Sequence, residues 1–251
     1  MKSKEQNLKI TILGCGDAFA SGGRFNTCFY LNNEDHHFLV DCGASALISM
    51  KKYNVPISDI KFIILSHLHG DHFGGIPFFL LDAHYNQKRN NELSIIGPSG
   101  TKKKVNALMD ILYPGTDLNK FSYPVKFIEY EAGRTLFIEP LFITPYPVIH
   151  SKQSNPHGLR INFLEKIFAF SGDTEWTESL IDISKGADLF ICESNFYNKS
   201  GPSHLDYHTI MIHKNRFSCK RLILNHLGEE MLSLKDNLEI ECAEDGQVIT
   251  L

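Results

Sequence analysis

The sequence predicts an α/β protein folded as a four-layer αββα sandwich, two facing sheets with helices on their outer surfaces. Three observations predict it. Strand-like segments fall into two groups, helical segments are interleaved with both groups, and strands that are apolar throughout stand beside strands that alternate. A strand apolar on every residue needs cover on both faces, which a sheet on one side and helices on the other would supply.

The elements follow in order. Leu8 to Leu13, Cys28 to Leu31 and His37 to Val40 read as an opening meander, separated by Gly-rich and Asn/Asp-rich turns. Ala44 to Tyr53 has helix-forming composition and stops before Pro56. Lys61 to Leu65 is a short apolar run that fits a strand buried on both faces. Ile76 to Tyr85 and Lys102 to Leu112 are helical in pattern, with a strand at Leu93 to Ile96 between them. From Val125 to Phe170 strand patterns dominate and predict an antiparallel region, in segments near Val125 to Tyr130, Thr135 to Ile138, Leu141 to Ile149, Leu159 to Phe163 and Ile167 to Phe170. Alternation then returns, with helices at Trp176 to Ser184 and Leu205 to Lys214 and strands at Leu189 to Cys192, Arg221 to Leu224 and Gln247 to Leu251. No linker, low-complexity tract or repeat divides the chain, so residues 1 to 251 are expected to form one domain.

Composition narrows the function classes. A net charge of -4 argues against a broadly phosphate-binding surface, though a local basic cleft is compatible with it. The polar start Met1 to Asn7 has no signal-like apolar core, and no run of about 18 apolar residues occurs, so a cytoplasmic protein with no membrane partner is expected. The six cysteines form no Cys-x-x-Cys pair and several sit among apolar strand residues, which predicts reduced, buried thiols.

The chemistry concentrates in Ser66-His67-Leu68-His69-Gly70-Asp71-His72, three imidazoles and a carboxylate directly after a buried strand. In an extended segment His67 and His69 project to one side, and Asp71 and His72 on the following turn can face a second ion, so one segment serves two metals. Gly70, Gly74 and Gly75 give the backbone the freedom such a reversal needs.

His67-x-His69-x-Asp71-His72 resembles the signature of the metallo-β-lactamase superfamily. The likeness extends to His150, to Asp173 within Ser171-Gly172-Asp173-Thr174, and to His226 within Leu224-Asn225-His226-Leu227. The resemblance implies the αββα fold of that superfamily. It also implies that His67, His69 and His150 bind one ion, that Asp71, His72 and His226 bind another, and that Asp173 bridges them. Two divalent cations are implied, Zn2+ first, with Mn2+ or Fe also suited to nitrogen and oxygen ligands. They would act through a bridging hydroxide, with Asp71 counted among the catalytic groups. Asp41, in Leu39-Val40-Asp41-Cys42-Gly43, resembles the family's aspartate that orients a ligating histidine, while its position also suits a cap on the helix that follows.

Three further features resemble the ribonuclease Z branch and its phosphodiesterase relatives. Gly14-Cys15-Gly16-Asp17 leading to Gly22-Gly23-Arg24-Phe25-Asn26-Thr27 implies a loop in which Arg24 and Asn26 meet the substrate. Glu193 and His204 match single residues of two of that branch's elements, and imply a relay in which Glu193 orients His204 as proton donor to the leaving oxygen. The branch's projecting arm for transfer RNA is not evident between His150 and Asp173. The expected function is therefore a dinuclear phosphodiesterase acting on RNA or a cyclic nucleotide, with homodimer formation implied by the resemblance. Thioester, lactone or lactam hydrolysis on the same metal pair is the alternative, and a metal-stabilised binding module is the alternative of another class. Lys102-Lys103-Lys104 is read as a solvated charge run.

Overall fold

A computed structural model describes residues 7–198 and 202–251; of the polar start, all but Asn7 lies outside the described residues. The chain runs β1 (Lys9–Gly14), β2 (Cys28–Asn32), β3 (His37–Val40), α1 (Ala46–Lys52), β4 (Phe62–Ile64), α2 (Gly70–Phe73), α3 (Ile76–Leu81), β5 (Leu93–Pro98), α4 (Thr101–Leu112) and β6 (Val125–Tyr130). It continues through β7 (Leu136–Ile138), β8 (Leu141–Pro147), β9 (His157–Phe163), β10 (Lys166–Phe170), α5 (Ser179–Ser184), β11 (Leu189–Glu193), α6 (Tyr207–His213), β12 (Leu222–Asn225), α7 (Glu229–Leu234), β13 (Glu241–Cys242) and β14 (Val248–Thr250).

Two seven-stranded mixed sheets result, in the orders β14-β1-β2-β3-β4-β5-β6 and β13-β12-β11-β10-β9-β8-β7. The opening meander is present as antiparallel β1, β2 and β3. The predicted antiparallel region is corrected at one end: β6 pairs parallel to β5 in the first sheet, and only β7 to β10 form the antiparallel run of the second.

Period-two alternation of two kinds of apolar residue explains the layers. Phe29, Leu31, Phe38, Val40, Ile64 and Ile96 of the first sheet face Leu159, Ile161, Phe168, Phe170 and Ile191 of the second in a fully buried inner core. Their strand neighbours Cys28, Tyr30, Leu39, Ile63 and Ile95 point the other way, against Met50 of α1, Phe79 and Leu80 of α3 and Val105 and Met109 of α4. Ala169, Phe190, Cys192 and Leu224 likewise meet Ile183 of α5, Ile210 of α6 and Met231 of α7. Truncating a central ring such as Phe29, which packs edge-on against Phe170 at 5.1 Å between centroids, removes contacts from both sheets at once.

The pairing also decides where the chemistry goes. β3 and β4 run parallel, and so do β10, β11 and β12. β8 is antiparallel to β9, which is antiparallel to β10, so β8 runs with the parallel set. The C-terminal ends of β3 and β4 in one sheet and of β8, β10, β11 and β12 in the other meet along one edge of the sandwich: Glu193 closes β11, and the segments after the other five strands carry Asp41, His67, His150, Asp173 and His226. Close packing there depends on missing side chains. A Cβ on Gly43 would lie 2.2 Å from the Asp71 carbonyl oxygen, and one on Gly75 would lie 2.1 Å from the Gly43 oxygen.

Candidate metal centre

Seven side chains converge on that edge. His67, His69 and His150 place ligand atoms within 4.8 Å of one another, and Asp71, His72, Asp173 and His226 do the same. Asp173 stands between the groups: its Oδ2 is 3.7 Å from His67 Nε2, 3.9 Å from His150 Nε2 and 3.4 Å from His226 Nε2, while Oδ1 is 3.2 Å from His72 Nε2. Asp71 Oδ2 lies 3.2 Å from His226 Nε2 and 3.3 Å from His72 Nε2.

In three of the five histidines, His67, His72 and His150, the outer ring nitrogen is already engaged, which leaves the inner one for the cluster. His72 Nδ1 donates to Asp41 Oδ2 at 2.7 Å. Ser66 donates its backbone N–H to Asp41 Oδ1 and its hydroxyl to Oδ2, both at 2.7 Å, and the hydroxyl oxygen accepts from His67 Nδ1 at 3.0 Å. His150 Nδ1 donates to the Ser203 carbonyl at 2.6 Å. Fixing one ring nitrogen sets the tautomer and aims the other. Asp41 thus holds His72 and the start of the histidine segment, and α1 is not capped by it, since Ser45 occupies the cap position. Asp41 and His226 have left-handed backbones, with φ of 57° and 59°, a conformation unfavourable by about 1–3 kcal/mol for such residues and sustained here by the surrounding structure.

Electrostatics divide the cluster. Burial, reinforced by the neighbouring His72, drives His67 well below the usual imidazole range; burial lowers His69 and brings His150 down to about 4. These three are neutral donors, the form that a metal takes. Burial pushes Asp71 and Asp173 up, but the imidazoles beside them outweigh it and keep both carboxyls ionised. Burial opposes charge on His72 and His226 too, yet Asp173 and Asp71 lift both, His226 to about 9. His67 Nε2 is buried with no hydrogen-bond partner, and His72 Nε2 and Asp173 Oδ1, 3.2 Å apart, form no aligned hydrogen bond; an unmet bond at this depth costs about 1–3 kcal/mol. Orphaned donors of N and O type, in two adjoining groups, fit two divalent cations.

Beside this cluster, both Glu193 oxygens meet His204 Nδ1, at 3.2 and 3.1 Å, and Glu193 also accepts from the Thr174 backbone N–H. Glu193 is fully buried, and the His204 ring stacks on His226 at 5.3 Å and lies edge-on to His150 at 4.9 Å. Burial raises the Glu193 pKa; burial lowers His204, but the hydrogen bond and charge of Glu193 outweigh it and leave the His204 pKa raised.

Arg24 is not brought into this group. Its Nη1 donates to Cys15 Sγ at 2.8 Å and to the Ala243 carbonyl at 2.5 Å, and Nη2 donates to Glu244 at 2.8 Å. The guanidinium fastens the glycine-rich loop to the C-terminal segment, with these three bonds made to groups outside the His/Asp cluster. Asn26 does reach the edge, in a depression shared with Asp71. The lysine run also differs from a purely solvated one, because Lys104 Nζ donates to the Gln153 carbonyl at 2.6 Å, tying α4 to the turn after His150. Sequence reading also passes over Ser66, Ser203 and Thr174; a serine or threonine that positions a histidine or glutamate carries no spacing of its own.

Replacing Asp41 by asparagine keeps the shape and removes the acceptor charge behind His72. Metal affinity is expected to fall about 10–100-fold, read by competition with a coloured chelator. An unchanged affinity would show that Asp41 serves the backbone of Ser66 alone.

The chain is similar to Ribonuclease Z of Ignicoccus hospitalis, 25% identical over 92% of this chain and 91% of that protein. It is also similar to the probable metallo-hydrolase YhfI of Bacillus subtilis, 27% identical over 76% and 73% of the two chains. The crystal structure of YhfI, a metallo-β-lactamase fold protein, superposes with a TM-score of 0.80 over 98% of this chain and all of that one, at 23% identity. The short form of human tRNase Z gives 0.77 over 96% and 98%, at 22% identity. The fold is thus that of the metallo-β-lactamases, as the histidine motif implied. Residues 8–249 match the family model described as anti-Pycsar protein Apyc1, and with nearly its whole length matched the chain belongs to that family.

Proposed function

We propose that this protein is a metal-dependent phosphodiesterase whose substrate is a small nucleotide, a cyclic nucleotide before RNA. The observation that carries the reading is the joining of two donor groups through Asp173, with the Glu193–His204 pair 3.1 Å apart alongside. His67, His69 and His150 would hold one cation, Asp71, His72 and His226 the other, with Asp173 between them, and His-rich donors favour Zn2+. When bound, such a pair supplies an activated water at neutral pH and offsets the charge that develops on a phosphoryl group.

The protein's own part is to position and to move a proton. Asp41, Ser66 and Ser203 keep the ligand rings aimed inward. Glu193 takes up Nδ1 of His204, which leaves Nε2 as the atom that gives a proton to the departing alkoxide. Phosphodiester rather than carbonyl chemistry is supported by the similarity to Ribonuclease Z. A small substrate is supported by the segment from His150 to Asp173, which forms only a short turn and the β9–β10 hairpin and projects no arm. The overall negative charge points the same way.

Homodimer assembly and a cytoplasmic location belong to the same proposal. The second is supported by six free cysteines, and among the described residues no helix is long and apolar enough to cross a membrane. The deciding experiment offers metal-loaded protein bis-p-nitrophenyl phosphate, 2′,3′- and 3′,5′-cyclic nucleotides, a thioester and a β-lactam. Turnover of the phosphodiesters is expected; turnover confined to the carbonyl substrates overturns the reading.

A further inference from the structure

Next to Asp71 lies a depression of about 410 Å³, within the size range of small-molecule sites. Its wall is built from four parts of the chain: Ala18 and Asn26 of the β1–β2 connection, Ala44 just before α1, Phe73 of α2, and Leu108 on α4. A Cβ placed on Gly70 would touch nothing within 4 Å, so the space above the histidine segment is open there. No lysine, arginine or histidine is among the lining residues. With one carboxylate, one amide and an otherwise apolar wall, the depression is a poor place for a phosphate and a good one for an uncharged flat ring.

Two details specify the ring's contacts. The Asn26 amide nitrogen donates to the Asp17 carbonyl at 3.1 Å and its oxygen accepts from the Ser45 hydroxyl at 3.2 Å, which leaves one N–H and one lone pair uncommitted. Directly after Ala18 comes Phe19, a residue 88% exposed that stands outside the lining of the depression but next to it in the chain. The loop that presents it is held firmly, because the buried Asp17 carboxylate accepts from the Phe19 N–H at 3.1 Å, the Ser21 N–H at 2.9 Å and the Ser21 hydroxyl at 2.8 Å. An aromatic ring kept in water on a braced loop is set up to stack on a ligand.

We propose that this depression is the subsite for the nucleobase of the substrate, with Phe19 the ring on which the base stacks and Asn26 the group that meets its edge. The inference rests on the phosphodiesterase reading and extends it: the scissile phosphate belongs over the His/Asp cluster, and the base lies toward α4.

The test compares kcat/KM for a 3′,5′-cyclic nucleotide with kcat/KM for glycerol 1,2-cyclic phosphate, a diester without a base, using metal-loaded protein. Ala18→Trp fills the depression, Phe19→Ala removes the stacking ring and Phe19→Tyr restores one; both positions are exposed, so folding is not at stake. The ratio of nucleotide to base-free diester is expected to fall roughly tenfold in Ala18→Trp and Phe19→Ala, through KM, and to hold in Phe19→Tyr. An unchanged ratio overturns the subsite while the phosphodiesterase reading stands. Phe19→Ala that converts a sedimenting dimer to monomer at constant nucleotide KM also overturns it, assigning the ring to a contact between copies. If the unaltered protein turns over neither diester, the underlying reading fails and the subsite with it.

Discussion

Asp173→Ala is expected to abolish turnover, by roughly a thousandfold or more, and to lower the metal content of the purified protein. The magnitude follows from position. Asp173 is the only carboxylate within 4 Å of imidazoles from both donor groups among the described residues, meeting His67 and His150 on one side and His72 and His226 on the other. Its removal would withdraw the negative charge that, on the proposed reading, offsets two cations in a buried site. Elemental analysis alongside kinetics checks the claim, with thermal unfolding as control because the residue is 2% exposed. A variant that keeps its full metal complement and most of its rate would mean that the two groups do not share this ligand.

His204→Ala is expected to behave differently, lowering kcat about 10²–10⁴-fold while leaving the metal content unchanged. His204 lies beside the cluster rather than inside it: Nδ1 is taken up by Glu193, and the ring packs on His226 and His150 without entering either primary donor group. Glu193→Gln should give a smaller loss in the same direction, since the amide preserves the shape and removes the charge that raises the His204 pKa. The discriminating measurement uses a diester with a p-nitrophenolate leaving group, which departs without protonation. Activity on that substrate should survive His204→Ala far better than activity on an alkyl diester. Equal losses on both would remove the proton-donor role and leave His204 as packing, or as an additional ligand with His150 and Asp173, to which it is near enough.

Much of the fold was legible because each strand reports its own surroundings. Phe38-Leu39-Val40 and Phe168-Ala169-Phe170 are apolar on both faces, and only a sheet covered on both sides places such strands stably. The error at Val125 to Tyr130 has a matching cause. Its alternation is the same whether it pairs parallel with β5 or antiparallel with the next strand, and the crossover through α4 decided for β5. The short elements α2, α7 and β13 escaped notice because four to six residues, or two in β13, contain too little periodicity to register.

Within the site, the clustered segment from His67 to His72 was legible because four of its six positions, His67, His69, Asp71 and His72, carry ligand-type side chains through one turn. Arg24 shows the converse. A basic residue after two glycines reads the same in sequence whether it faces a ligand or folds inward. Two of its three partners, Ala243 and Glu244, lie some 220 residues away in the chain.

The sequence by itself determined the kinds of donor, their order, and the layered αββα fold, since these follow from local spacing and from which residues avoid water. Only the tertiary structure decided which distant residues meet: that Asp173 stands between two donor groups, that Asp41 serves His72 rather than a helix end, and that Arg24 pins a loop. Those outcomes depend on strand order and direction, which bring the ends of six strands to one edge. Strand order is set by long-range pairing summed over the whole sandwich, and no short stretch of chain carries it.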